Sequence, residues 1–123
     1  MKRAVVAGAI SFVWIACPAC AEPLPSDTNA FLNLNAKGGV ARDDAEILIF
    51  GEQDGLTWSN AFLMSNKLSP FFCQPGHLSL TAPQLVDMIK RGVQDNPGFG
   101  KLPVGFTLLA VMRKAFPCPQ NAN

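Results

Sequence analysis

The chain has 123 residues, ten basic and nine acidic side chains, and a formal charge of +1. No basic run or patch is visible, which excludes the usual footprint of a nucleic-acid binder. With 49% apolar and only 15% charged residues it is not an acidic disordered chain either, and its length suits one domain with a modest core.

The N-terminus reads as an export signal. Lys2 and Arg3 form a basic start, Ala4 to Ala16 is an uncharged apolar run, and Ala19-Cys20-Ala21 is a small-residue cleavage box. The run is too short for a spanning helix. Residues 1–21 are therefore expected to be removed, leaving 22–123 as a single periplasmic domain with no membrane segment. A lipid anchor on Cys17 or Cys20 is the rival, but Trp14 and Cys17, three positions before them, fit a lipidation box poorly. Without Lys2 and Arg3, eight basic residues face nine acidic ones. Cys73 and Cys118 are the two cysteines left, and an even pair in an oxidising compartment predicts a disulfide. Closing a loop of 45 residues is worth about 4 kcal/mol on the chain-entropy model. There is no C-x-x-C, so a redox thiol is not expected.

The remaining chain predicts an all-α fold, a small bundle of about four helices. After the Pro-punctuated lead-in EPLPSD, Ser26 or Asp27 caps a short helix through about Asn35, with Phe31, Leu32 and Leu34 apolar. Lys37-Gly38-Gly39 ends it. Arg42 to about Asn66 is one long helix. At 100° per residue, Ile47, Leu48, Phe50, Gly51, Asp54, Gly55, Trp58, Ala61 and Phe62 share a face, read as the core stripe. Gly51 and Gly55 suit close packing there, and Asp54 is read as a structural polar group in the core that needs partners. The opposite face carries Ile49, Leu56 and Leu63. They either cover a central helix on its second side or form a seam for a partner or a homodimer.

Lys67 to Ser69 breaks the helix. Phe71, Phe72 and Cys73 form a buried anchor, followed by the turn Gln74-Pro75-Gly76-His77 and a short extended piece. Thr81, Pro83 and Gln84 make a capping box with proline in the first turn. Leu85, Met88, Ile89 and Val93 are the apolar face of the helix they start. Asn96 to Lys101 is a loop with Phe99 at its tip, either tucked inward or standing out as a contact. A last helix opens at Pro103 with Val104, Leu108, Val111, Met112 and Ala115 inward. Phe106 points away, a second candidate contact. Phe116-Pro117-Cys118 ends it.

No catalytic constellation is present. Cys73 and His77, the only histidine, lack a second ligand pair, so neither a metal nor a cofactor is expected. No phosphate loop occurs. Asp43, Asp44 and Glu46 sit at the start of the long helix, where acids favour the dipole. An enzyme is not expected.

Three segments carry a family likeness: FGEQDGLTWSNAFL, FFCQPGHLSLTAPQLVDMIKRGVQDNPG and LPVGFTLLAVMRKAFPC. The shared pattern is F-C-x-P, a T-x-x-Q-L helix ending in Asn-Pro, and F-P-C after a final helix. From Phe50 to Cys118 the chain resembles the periplasmic immunity proteins that neutralise type VI secretion cell-wall amidases. The resemblance implies an all-helical domain, often dimeric, that occludes an amidase active site. The expected partner is then a protein, while the candidate contacts Phe99, Phe106, Ile49, Leu56 and Leu63 come from the loop and helix-face pattern and not from the resemblance. Two other functions compete: an acid-stress chaperone of the periplasm, and an envelope adaptor.

Overall fold

The computed structural model describes residues 24–119. The signal, its cleavage box and Cys17 and Cys20 lie outside them. The fold is all-α: α1 (Thr28–Ala36), α2 (Gly39–Ser65), α3 (Ala82–Asp95), a 3-10 helix (Pro97–Lys101) and α4 (Val104–Ala115). No helix among the described residues is long and apolar enough to cross a membrane.

Each start has a local cause. The Asp27 carboxylate accepts the Ala30 N–H at 2.8 Å and caps α1. Gly38 and Gly39, both at positive φ, turn the chain sharply, and α2 begins at Gly39, three residues before the expected Arg42. The Thr81–Gln84 capping box forms in full at the head of α3. Pro97 opens the 3-10 turn behind Asn96, whose side chain accepts the Gly98 N–H. Arg113 and Lys114 occupy the last turn of α4, where cations are favoured.

The core gathers Phe31 from α1, Ala45 and Ile49 from α2, Leu85, Val86 and Ile89 from α3, and Val104, Leu108 and Met112 from α4. Gly92 lets α3 and α4 meet closely, since a Cβ there would collide with Val111. A hydroxyl chain locks the opposite corner. The Thr28 N–H donates to the Leu102 carbonyl at 2.9 Å, and the Thr28 and Thr107 hydroxyls lie 2.9 Å apart. The Thr107 hydroxyl reaches the Phe99 carbonyl at 3.1 Å. Both threonines are fully buried. The Cys73–Cys118 disulfide joins the α2–α3 linker to the end of α4, with Cα atoms 4.8 Å apart. The Cys73 N–H donates to the Phe116 carbonyl beside it at 2.8 Å.

The long helix is oriented opposite to the expected way. Ile49 is 0% exposed, and Leu56 and Leu48 pack against the core, whereas Ile47 is 71% exposed and Trp58 75%. Gly51, Asp54, Gly55 and Ala61 are exposed as well. The cause lies in the polar residues of the two faces. A core built on the Ile47–Trp58 side would bury the Asp54 carboxylate, which costs several kcal/mol without a partner. The observed side instead buries Asn60, whose amide donates to the Phe72 carbonyl at 2.9 Å and accepts the Phe71 N–H at 2.8 Å. Glu52, also on that side, rests its carboxylate against Gly105 in the first turn of α4, where the helix dipole favours an anion.

Candidate functional site

The inversion of α2 leaves a row of apolar side chains in solvent. Val40, Ile47 and Trp58 follow one another along the outer face, with Phe50 and Phe62 on its flanks. Gly51 and Gly55 lie between them, and a Cβ added to either would meet nothing within 4 Å. They form a flat step between Ile47 and Trp58 rather than a contact within the fold. Phe71, from the linker, is partly exposed and shares with Trp58 and Phe62 a shallow depression of about 450 Å³.

A groove of about 580 Å³ runs beside this row, between the second half of α2 and linker residues 70–79. Asp54, Thr57 and Met64 form one wall, and Gln74, Leu78 and Ser79 contribute to the other. The linker wall is held by the Asn60 amide, by the disulfide, and by a turn in which the Leu78 N–H donates to the Pro75 carbonyl at 2.9 Å. The Gln74 side-chain amide also donates to the Leu78 carbonyl at 2.6 Å. An irregular segment is thereby fixed against a helix without strand pairing.

Charge is unevenly divided between the elements. Helix α2 carries Asp43, Asp44, Glu46, Glu52 and Asp54 against Arg42 alone. Residues 82–115 carry Lys90, Arg91, Lys101, Arg113 and Lys114 against Asp87 and Asp95. The Lys114 ammonium hydrogen-bonds Asp95 at 2.8 Å and holds its carboxyl below the usual aspartate range. This pair is exposed, at the rim of a shallow hollow of about 300 Å³ between α3 and α4. Among the described residues no cluster of three His, Cys, Asp or Glu side chains is placed to hold a metal ion.

The other expected contact residues are scattered. Ile49 is completely buried and Leu56 packs against the core, whereas Leu63 is half-buried and lines the depression with Trp58, Phe62 and Phe71, so the three do not form one continuous partner seam. Phe99 is half-buried, its ring 3.8 Å from where a Gly92 Cβ would stand. Phe106 is 56% exposed on α4. Asp54 is exposed, so it is not a structural polar group of the core. Reasoning on the sequence does not single out Asn60, which the structure buries. Its signal was available: an amide can satisfy two backbone groups inside a core, and a carboxylate at neutral pH cannot donate.

No family model matches the chain, and neither a curated protein nor a solved structure matches it.

Proposed function

We propose that this chain is a non-catalytic binding protein of the periplasm, an immunity protein that inhibits a type VI secretion cell-wall amidase by covering its active site. The observation that carries the reading is the broad aromatic surface on α2 and the linker. Trp58, Phe62 and Phe71 share one depression in a small domain, and apolar patches beyond a few hundred Å² mark contact sites. The surface is held rigidly, because Ala45, Ile49 and Asn60 anchor the same helix from behind. Aromatic side chains presented on a fixed helix lose little entropy on binding, as hot-spot residues require. The segments that carry the family likeness build this face and its support: the glycine-containing helix, the F-C-x-P linker, and the F-P-C end bridged to it.

The test is titration of a cell-wall amidase of this secretion class with the full chain, disulfide intact, following peptidoglycan hydrolysis. Stoichiometric loss of activity is expected. Undiminished hydrolysis at tenfold excess of the chain would overturn the reading.

A second reading, an envelope chaperone or adaptor, draws on the same apolar surface, which is open without acidification. It differs in its ligands: many unfolded clients at micromolar affinity, and no stoichiometric inhibition of a hydrolase. Suppression of aggregation of an unrelated reduced protein would favour it.

A further inference from the structure

The carboxylates of α2 determine what fits the aromatic face. Asp43, Asp44 and Asp54 are all exposed, and by the 100° step they fall on the same side as Val40, Ile47 and Trp58. The one cation of the helix, Arg42, is exposed too, but it stands seven residues before Ile49 and so falls by the same step on the side of α2 away from Trp58. The outer face is therefore an apolar row with an acidic edge and no basic residue of its own. Its size suits a protein contact. Trp58 and Phe62, 75% and 66% exposed, with Ile47, Val40 and parts of Phe50 and Phe71, present roughly 700 Å² at ~150–250 Å² per whole aromatic ring. A standard interface uses about 800 Å² per partner.

We propose that this face docks an amphipathic segment of a protein partner whose apolar ridge is edged by lysine or arginine. The inference rests on the reading of the chain as a binding protein and specifies the partner's contact surface. The ridge lies along the Gly51–Gly55 step, where the backbone of α2 can be approached most closely, and the partner's cations meet Asp43, Asp44 and Asp54. A second copy of the chain is disfavoured as occupant. Pairing α2 with its own copy sets these carboxylates against one another, and laying α2 on the basic side of another copy gives a head-to-tail contact that closes only at particular rotations. An anionic lipid surface would be repelled by the same carboxylates.

Trp58 reports on the face directly. The chain has two tryptophans, Trp14 and Trp58, so a Trp58→Phe chain gives the background from the other. The experiment titrates the full chain with a synthetic amphipathic leucine–lysine helix and, separately, with its leucine–glutamate counterpart. The lysine peptide should shift Trp58 emission to the blue with at least tenfold tighter affinity than the glutamate peptide. Replacing Asp43, Asp44 and Asp54 together by asparagine should shrink that preference to about threefold or less, as exposed ion pairs allow. The variant Gly51→Gln/Gly55→Gln adds bulk where the fold leaves space. It should bind at least tenfold more weakly while unfolding at an equal or higher temperature.

Equal affinity for the two peptides would overturn the proposal. So would an equal blue shift with phosphatidylglycerol vesicles, or burial of Trp58 in a concentration-dependent dimer without peptide. An amidase inhibited equally well by wild-type chain and by Trp58→Ser would sink this surface while leaving the immunity function standing.

Discussion

Helices α2 and α3 are both apolar on a side that the sequence displays, yet only α3 buries the side it displays. In α3, Leu85, Val86 and Ile89 face inward, while Gln84, Asp87, Lys90, Arg91 and Gln94 face solvent. One side of that helix is polar throughout, so a single orientation is feasible. In α2 both sides carry large apolar residues, and counting them favours the wrong one. The larger rings of Trp58 and Phe62 are outside, and the smaller Ala45 and Ile49 are inside. Apolar content decides orientation only where the other face is unable to be buried. Where both faces qualify, the polar residues decide by whether each finds a partner.

The largest expected effect tests that orientation. Ile49→Ala should cost about 2–5 kcal/mol in urea unfolding with the disulfide intact, whereas Ile47→Ala should change stability by no more than about 0.5 kcal/mol. Equal costs at the two positions would return α2 to the orientation its pattern suggests.

Glycines sharpen the same contrast. Gly92→Ala in α3 drives a methyl group into Val111 and should lose about 1–3 kcal/mol. Gly51→Ala or Gly55→Ala in α2 enters open space and should gain about 0.5–1 kcal/mol from helix propensity. Thermal melts of the three variants provide the comparison, with opposite signs expected.

Asn60→Ala removes both bonds to the linker, at 2.9 and 2.8 Å. A loss of about 1–3 kcal/mol is expected for orphaned backbone groups, accompanied by faster hydrogen exchange at the Phe71 amide. Unchanged exchange there would mean that the disulfide alone fixes the groove wall.

The smallest effect belongs to the solvated pair between α3 and α4. Lys114 depresses the Asp95 pKa, so the pair's contribution is present above the ordinary aspartate pKa and fades as pH falls through the folded-state value. Lys114→Met should raise the Asp95 titration midpoint measured by NMR, with little change in melting temperature at pH 7.

Most of the architecture could be read from local chemistry. The Asp27 cap, the double glycine at 38 and 39, the Thr81–Gln84 box and the Cys73–Cys118 bridge each act over short spans or follow from a count of two. The 3-10 turn at Pro97–Lys101 reads in the sequence only as a loop, because a single tight turn leaves no periodicity. The site was less legible. Which face of α2 stays open depends on Asn60 meeting a linker eleven and twelve residues away and on Glu52 meeting Gly105 of α4. Such pairings exist only once the chain has folded. Of the row Ile49, Leu56 and Leu63, whose pattern fits either a second covered side or a partner seam, Ile49 and Leu56 pack inward and Leu63 borders the aromatic depression.

The disulfide also divides the molecule mechanically. Its two cysteines are 45 residues apart, so α3, the 3-10 turn and α4 lie inside a covalent ring while α1 and α2 hang outside it. Tension applied between α1 and Pro119 can peel away the long helix and its aromatic face, but it leaves the ring closed. Reduction would release a further ~160 Å of contour length at about 3.5 Å per residue. Under load the molecule is a tethered clasp, with the contact helix as the arm that opens and the α3–α4 ring as the part that stays shut.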